Sequence, residues 1–302
     1  MDELYCLYLM LDFNQSVSDL VKTALEEDIG PGDITSRACF EPKKVRAKII
    51  AKSEGVLSGS KPTLLVFQIV DSDNEVRTLL KDGDSFKAGD TIVEINGLNQ
   101  TLLASERVAL NFLAHLSGIA TLTERFVDKV RGSKCRILDT RKTTPGWRFL
   151  EKEAVVHGGG VNHRYGLYDM VLIKDNHIAA AGSISQAVNR TRKFLTAPDF
   201  SNQFGRNGTQ IEIEVEVTSP SQLKEAISAS VNRLLLDNQS LDNLRNLVNL
   251  ARELNPDIKL EASGNVTLEN VSEVASTGVD FISIGALTHS VPASDLSMRI
   301  VE

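Results

Sequence analysis

The 302-residue chain has few cysteines and no long apolar run. Cys6, Cys39 and Cys135 are far apart, and the absence of any C-x-x-C pair excludes zinc-knuckle and thioredoxin-type motifs. We therefore expect three reduced, buried thiols in a cytoplasmic protein. The apolar stretch at residues 4–11 is much shorter than the roughly 18 residues of a membrane helix. No Lys or Arg precedes Lys22, so no signal peptide and no membrane association are expected.

Positive charge is also scarce overall, with 33 Lys and Arg against 40 Asp and Glu, a net charge of −7. An acidic chain argues against a nucleic-acid partner. Residues 1–33 contain eight acids and one base, which accounts for all of the −7, and the rest of the chain is balanced. An anionic small substrate therefore remains compatible with the composition. No G-x-G-x-x-G follows a predicted strand and no G-x-x-x-x-G-K-[ST] occurs, so the usual nucleotide loops are missing.

The N-terminal part is predicted to be mixed α/β. Apolar residues recur at helical spacing within residues 1–30, and residues 44–97 alternate in the manner of strands separated by Gly-Asp turns. A long amphipathic helix is predicted from Ser105 to about Arg131. We expect His115 in that helix, and Trp147 beyond it, to be packing residues.

The remainder of the chain alternates short apolar strands with helices. Six strands are predicted, at residues 136–140, 170–173, 210–217, 233–236, 258–262 and 281–284. The last four strand centres recur every 21 to 25 residues, the period of a βα unit, which favours a parallel sheet closed into a barrel. A doubly wound open sheet is the alternative. Capping signals at Ser183 and Ser219 mark two of the intervening helices.

The active site of an α/β barrel lies at the C-terminal ends of the strands. Polar and charged residues follow all six predicted strands here: Arg141 and Lys142; Lys174, Asp175 and His177; Glu216; Asp237; Glu261, Ser263 and Gly264; Gly285 and His289. Together they would form one ring of cations, carboxylates and glycine turns. Such a ring suits an anionic substrate.

The strand at residues 211–217 carries three glutamates at a period of two, Glu212, Glu214 and Glu216. In a barrel the outward face of a strand packs under helices, so we expect all three carboxylates to point inward. Buried carboxylates require cations, protons or a metal. Glu216 and Asp237, at the ends of adjacent strands, are candidates to share Mg²⁺, which prefers oxygen ligands and substrate phosphates.

Residues 134–174 contain eight bases against four acids, a local charge of +4. Arg141, Lys142 and Lys174 directly follow strands, where Arg offers a planar fork and Lys a point charge for carboxylate or phosphate. The glycine turns at Ser263-Gly264 and at Gly285 suit a phosphate held by backbone N–H groups, the usual arrangement after late barrel strands.

These residues resemble the quinolinate phosphoribosyltransferase family. The resemblance rests on residues 139–146 (DTRKTTPG), 158–164 (GGGVNHR), 172–177 (LIKDNH), 105–111 (SERVALN), 116–121 (LSGIAT), 236–238 (LDN), 263–264 (SG), 285–289 (GALTH), 27–35 (EDIGPGDIT) and 54–59 (EGVLSG). It covers nearly the whole chain, and the TRKTTPG run is very specific. Ser105 stands where the family often has Gly.

The resemblance implies transfer of a phosphoribosyl group from phosphoribosyl pyrophosphate (PRPP) to quinolinate, with Mg²⁺, giving nicotinate mononucleotide, pyrophosphate and CO₂ for NAD biosynthesis. It implies roles for single residues as well. Arg141, His163, Arg164 and Lys174 would bind the quinolinate dicarboxylate; Lys142 would lie between the two substrates; Glu216 and Asp237 would be the metal and ribose-pyrophosphate carboxylates; Ser263, Gly264, Gly285 and His289 would form the 5′-phosphate pocket; and Arg107 would enter the partner subunit's site.

The resemblance further implies an N-terminal α/β sandwich followed by an incomplete, TIM-like α/β barrel, assembled into dimers or hexamers. We expect the sandwich at residues 1–115, the barrel at 116–289, and a C-terminal helix at about 290–302 that packs back on the sandwich.

Three other functions remain open. The first is a sibling transferase that uses nicotinate or another anionic ring, such as a molybdenum-associated ligand. The second is a Schiff-base lyase that uses Lys174, although this leaves Glu216 and Asp237 without a task. The third is a non-catalytic barrel that binds an anion.

Overall fold

The computed structural model of the protein describes residues 3–301, with side chains from residue 15 onward. The chain forms two compact units. The first comprises residues up to 124, residues 143–159 and residues from 287 onward, and the second comprises residues 125–142 and 160–286. Between residues 3 and 301, no helix combines the length and apolar character needed to cross a bilayer.

The first unit is an antiparallel sheet with helices, as expected of an α/β sandwich. Its elements are α1 (Glu3–Ile29), α2 (Ile34–Cys39), β1 (Lys44–Ala51), β2 (Gly55–Val56), α3 (Ser60–Val70), β3 (Glu75–Thr78), β4 (Ser85–Phe86), β5 (Thr91–Leu98), α4 (Asn99–Lys129), α5 (Arg148–His157) and, at the C-terminus, β12 (Leu296–Val301). The main sheet has the order β12-β1-β5-β3. The predicted alternation is confirmed in β1, where Ala47, Ile49 and Ala51 are buried.

The C-terminal segment is a strand, so the expectation of a helix at about 290–302 is wrong. Residues 296–301 pair antiparallel with β1, placing Ile300 opposite Ala47 and Met298 opposite Ile49. Met298 is buried, whereas Arg299 and Ile300 are exposed. The backbone groups of this segment are instead paired with the edge of β1, which extends the sheet by one strand.

The expected boundary at residues 115 and 116 falls inside the continuous helix α4. This helix buries an apolar stripe that includes Phe112, Leu116 and Ile119, as its periodicity predicts. Because nothing breaks the helix at residue 115, the first unit continues to residue 124. Residues 143–159, which contain α5, also belong to this unit.

The second unit is a six-stranded parallel sheet, the incomplete TIM-like barrel. Its elements are β6 (Arg136–Leu138), β7 (Val171–Ile173), α6 (Asp175–Ala181), α7 (Ile184–Leu195), α8 (Phe200–Phe204), β8 (Ile213–Val217), α9 (Pro220–Ser228), β9 (Arg233–Asp237), α10 (Leu241–Leu254), β10 (Lys259–Ser263), α11 (Val271–Ser276) and β11 (Phe281–Ser283), followed by α12 (Ala286–His289). The sheet order is β6-β11-β10-β9-β8-β7. From β7 to β11 each strand is therefore a neighbour of the next, and β6 pairs with β11, so among the described residues the barrel is open between β6 and β7.

Local sequence signals account for these elements. Ser183 and Ser219 cap α7 and α9, each accepting a hydrogen bond from the backbone N–H three residues later, and Pro220 begins α9 as predicted. The outward faces of the strands are apolar and buried, as at Val215, Leu236 and Leu260. This confirms that the barrel packs under its helices.

The cysteines differ from one another. Cys135 is buried as expected, and burial raises the pKa of its thiol to about 12. Cys39 is exposed at the end of α2, so its expected burial is wrong. The side chain of Cys6 lies outside the described part of the chain.

Candidate active site

The C-terminal strand ends of the second unit meet at one edge of the sheet. In the parallel register Asp237 lies opposite Ser263, and Ser263 lies opposite Ser283. Because the register is in phase, these side chains share one layer. The Ser263 hydroxyl donates a hydrogen bond to Asp237 Oδ1. The predicted carboxylate of β9 and the predicted glycine turn after β10 are thus in contact.

Two arginines lie close together at this edge. Burial lowers the pKa of Arg164, and the positive charge of Arg141 lowers it further. The guanidinium of Arg164 is held by a hydrogen bond of 3.0 Å from Nη1 to the carbonyl oxygen of Met170. Two neighbouring guanidinium groups repel each other, so an anion between them would be stabilising. The pair is suited to a carboxylate or a phosphate.

A lysine and two carboxylates form a second group. Lys174 Nζ lies 3.7 Å from Glu216 Oε2. Burial raises the pKa of Glu216, the charge of Lys174 opposes this, and the negative charge of Asp237 adds to it. Asp237 projects from the same face of the sheet as Glu216, one layer nearer the strand ends. The structure therefore brings together the two carboxylates predicted to share a cation.

The turn after β10 needs glycine at residue 264. Gly264 has φ of +91°, and a Cβ there would lie 2.0 Å from Asn238 Oδ1 and 3.0 Å from the backbone nitrogen of Asn238. A side chain at this position would be strained as well as blocked. The glycine allows the turn at residues 263–265 to close against the end of β9.

Beneath this edge the barrel interior holds a polar cluster. His163 Nε2 lies 3.1 Å from Glu214 Oε2 and 3.5 Å from Glu261 Oε2, and Arg233 Nη1 lies 3.1 Å from Glu261 Oε2. Glu214 and Glu261 are buried, and burial raises the pKa of both carboxyl groups to about 7. The charge of Glu214 raises the pKa of Glu261 further. At neutral pH the pair does not carry two full negative charges.

The expectation that three glutamates point inward holds for Glu214 and Glu216 and is wrong for Glu212. The strand β8 begins at Ile213, so Glu212 precedes the barrel wall. Its carboxylate is 53% exposed and pairs with Arg233 Nη2 at 3.3 Å. At the N-terminal end of the barrel, solvent and Arg233 together stabilise this carboxylate.

The basic window of residues 134–174 is not one patch. Lys134 and Arg136 lie at the start of β6, at the end opposite Arg141 and Lys142, and Lys152 is buried within α5 of the first unit.

Of the other predicted site residues, Gly285 follows β11 in the second unit. Arg107 and His289 both belong to the first unit, where each is exposed. Their roles stay predictions.

Comparison with known proteins identifies the family. The model of the quinolinate phosphoribosyl transferase C-terminal domain matches residues 119–299, and the model of the N-terminal domain matches residues 33–117. The chain belongs to the quinolinate phosphoribosyltransferase family. It is therefore an enzyme, a phosphoribosyltransferase, and the family resemblance of its motifs is confirmed.

Relatives of the family are similar over nearly their whole length. A probable nicotinate-nucleotide pyrophosphorylase [carboxylating] of Bacillus subtilis is 43% identical over 91% of this chain and 90% of its own. A chloroplastic nicotinate-nucleotide pyrophosphorylase [carboxylating] of Arabidopsis thaliana is 40% identical over 93% of this chain and 82% of its own. A solved nicotinate-nucleotide pyrophosphorylase from Francisella tularensis superposes with a TM-score of 0.87 at 38% identity, covering 95% and 97% of the two chains.

Sequence reasoning missed two polar residues of the interior, Asp139 and Arg233, and did not predict that Glu214 and Glu261 meet His163. Asp139 is buried and accepts a hydrogen bond of 2.8 Å from the backbone N–H of His163, and Arg233 Nη1 donates to Glu261 Oε2 at 3.1 Å. No local sequence pattern marks Asp139 or Arg233, because the partner of each depends on the fold.

Proposed function

We propose that the protein transfers the phosphoribosyl group of PRPP to quinolinate and decarboxylates the product to nicotinate mononucleotide, a step of NAD biosynthesis. The observation that carries this is the presence, in the barrel unit, of both an arginine pair, Arg141 and Arg164, and a carboxylate pair, Glu216 and Asp237. The arginines suit a dianionic ring, and the carboxylates suit the cation of a pyrophosphate. The cytoplasmic compartment, inferred from the cysteines, stays a prediction.

The cationic side of the edge would bind quinolinate. Arg141 and Arg164 each present a fork that matches a carboxylate, and their mutual repulsion is relieved when a dianion enters. Lys174, whose side chain is 49% exposed, adds a point charge at the next strand end. Lys142 lies one residue beyond Arg141, with its backbone N–H donating to Thr140 Oγ1 at 3.0 Å. We place it between the two substrates.

The carboxylate side fits a hard divalent cation. Glu216 and Asp237 offer oxygen ligands only, which Mg²⁺ prefers. Burial and then the charge of Asp237 raise the pKa of Glu216, with Lys174 opposing them, so a further cation would favour the ionised pair. Mg²⁺ bound there would neutralise the pyrophosphate as it leaves. The turn at Ser263-Gly264 and the backbone at Gly285 would bind the 5′-phosphate, together with His289.

The reaction needs orientation more than acid–base catalysis. The pyridine nitrogen lone pair forms the bond to the anomeric carbon, and the breaking C–O bond leaves its electrons on pyrophosphate. The carboxylates of Glu216 and Asp237 would stabilise positive charge that develops on the ribose. The ring, now cationic, accepts the electron pair of the departing CO₂, and its carbon then takes a proton. Arg141 and Arg164 hold the ring in place for both steps.

The protein is proposed to act as a dimer or hexamer in which Arg107 enters the partner's site. Arg107 is exposed on α4, as this role requires. Arg107→Ala and Lys142→Ala should each be inactive. Mixing the two variants should restore activity, because a mixed dimer contains one intact site. No recovery, with mixed dimers shown to form, would argue against a shared site.

The structure disfavours the lyase alternative. A Schiff-base lysine is activated by desolvation or by neighbouring cations. Lys174 is instead half-exposed and lies beside the carboxylate of Glu216. A sibling transferase acting on nicotinate remains an outcome of the test.

The test is product analysis. Purified protein with quinolinate, PRPP and Mg²⁺ should yield nicotinate mononucleotide, pyrophosphate and CO₂ in equal amounts. Arg141→Lys is a matched variant, since it keeps the charge and loses the fork, and it should raise the KM for quinolinate more than the KM for PRPP. Absence of nicotinate mononucleotide would refute the proposal. A substrate adduct trapped on Lys174 by borohydride would support the Schiff-base lyase instead.

A further inference from the structure

The interior polar cluster of His163, Glu214, Arg233 and Glu261 has no task in the proposed reaction, yet it is closed to solvent. The His163 side chain is 8% exposed, and those of Glu214 and Glu261 are 0% and 1% exposed. Burying two carboxyl groups is costly unless they are paired or hydrogen-bonded, so the partners of these two groups indicate their role.

A metal ion is the first possibility, since one ligand atom from each of His163, Glu214 and Glu261 lies within 4.8 Å of the others. The hydrogen bonds exclude it. The backbone N–H of Arg164 donates to His163 Nδ1 at 2.7 Å, so Nδ1 carries no proton. The proton of the neutral imidazole is then on Nε2, which has no lone pair for a metal. Arg233 already supplies a positive charge beside Glu261.

We propose that Glu214 and Glu261 are positioning residues for Arg164. Glu214 accepts the Nε2–H of His163 at 3.1 Å, with Glu261 Oε2 3.5 Å from the same nitrogen, and the two carboxyl groups so fix this tautomer, whose Nδ1 accepts the backbone N–H of Arg164. Asp139 accepts the backbone N–H of His163. The chain at residues 163 and 164 is thereby fixed from both sides, with the Arg164 guanidinium beside Arg141.

This inference rests on the proposed function, because Arg164 matters through its grip on a quinolinate carboxylate. It also changes the role expected of His163. Its Nε2–H faces the interior carboxylates and its Nδ1 accepts the backbone N–H of Arg164. The ring therefore contributes to the quinolinate site by positioning Arg164. Bidentate binding by Arg is sensitive to geometry, and a misplacement of about 1 Å can cost about 100-fold in rate.

The first experiment reads the tautomer directly and needs no activity. ¹⁵N-histidine NMR of the whole protein, with His163 assigned by comparison with His163→Gln, should show a protonated Nε2 and an unprotonated Nδ1. The chain has only five histidines, so the assignment is tractable. A proton on Nδ1, with or without one on Nε2, would overturn the proposal.

The second experiment separates positioning from general stability. Glu214→Leu removes the acceptor, whereas Glu214→Gln keeps one oxygen for Nε2–H. We expect Glu214→Leu to raise the quinolinate KM by about 10- to 100-fold, with the PRPP KM changed less than about twofold, and Glu214→Gln to recover most of this loss. Glu253→Leu, at an exposed glutamate on α10 outside the cluster, is the control and should behave like the parent protein.

Equal losses for both substrates, or no recovery in Glu214→Gln, would overturn the positioning role. If Glu214→Leu does not fold, the tautomer of His163 and the kinetics of Glu214→Gln still test the positioning role. If the parent protein releases no CO₂ from quinolinate, the proposed function fails, and the quinolinate part of this inference fails with it. The tautomer measurement does not depend on the substrate, so a protonated Nε2 would show that the cluster fixes His163 even if quinolinate is not the substrate.

Discussion

The buried carboxylate of Glu151 makes a sharp prediction about stability. Glu151 is fully buried in α5 and accepts two hydrogen bonds, from His115 Nε2 at 2.8 Å and from the backbone N–H of Thr144 at 3.1 Å. It thereby ties the segment just after Lys142 to helices α4 and α5 of the first unit. Replacing Glu151 by Gln keeps the size and one oxygen but turns an NH₂ group toward one donor.

The expected cost follows from these contacts. A hydrogen bond to a charged group contributes about 1.5–3 kcal/mol, and an N–H facing an NH₂ group loses its partner entirely. His115 is 29% exposed, so water compensates part of the loss on that side. We expect Glu151→Gln to lower the free energy of unfolding by about 2 kcal/mol. In a His115→Ala background, Glu151→Gln should lower the free energy of unfolding by less than it does in the parent protein. The difference between the two losses, the coupling free energy of the two side chains, should be about 1 kcal/mol.

The chain contains its own reporter for this measurement. Trp147 is the single tryptophan, and it stacks on Phe112 at 4.5 Å and meets the His115 ring edge-on at 5.5 Å. Urea titrations followed by its fluorescence therefore report unfolding at the site of the substitution.

Glu153→Gln is the matched control for that titration. Glu153 lies on the same helix with an exposed side chain, so its substitution should change stability by less than about 0.5 kcal/mol. Equal urea midpoints for Glu151→Gln and Glu153→Gln, or strict additivity with His115→Ala, would refute the reasoning.

Three further predictions concern the cation site, the thiols and a helix cap. Glu216→Gln and Asp237→Asn should each raise the Mg²⁺ concentration needed for half-maximal activity by about tenfold or more, and an unchanged Mg²⁺ dependence in both would contradict the shared site. Cys39 should react with iodoacetamide at neutral pH while Cys135, with its raised pKa, does not, as peptide mass mapping would show. Asp33→Ala should cost about 1 kcal/mol, because Asp33 caps α2 by accepting from the backbone N–H of Ser36. Since these bonds lower the Asp33 pKa, its contribution is present above pH 3.8 and is lost as the pH falls below it, so the parent and the variant should converge in acid.

The six barrel strands could be predicted because each is a short, mainly apolar run, the last four recur at a regular period, and Ser183 and Ser219 mark two of the intervening helices. β9, predicted at residues 233–236, is observed at Arg233–Asp237, and β11, predicted at 281–284, is observed at Phe281–Ser283. The strand-end residues followed from the same periodicity, since parallel strands bring their C-terminal ends to one edge.

Contacts between residues distant in the chain could not be predicted. β12 pairs with β1 across some 250 residues, and no local pattern marks that pairing. The exposure of Glu212 depends on the residue at which β8 enters the barrel wall, a shift of one or two residues that periodicity leaves open. The partners of His163 likewise depend on which side chains of β8 and β10 meet in the interior.

The most direct test of the central claim compares two rings at the same site. The proposed arginine pair grips a dicarboxylate, so pyrophosphate release from PRPP and Mg²⁺ should be rapid with quinolinate, matched by an equal amount of CO₂. With nicotinate, which has one carboxylate and none to lose, kcat/KM should be at least about 100-fold lower, since the polar groups built for the second carboxylate are left unpaired. Equal turnover of quinolinate and nicotinate would contradict the account.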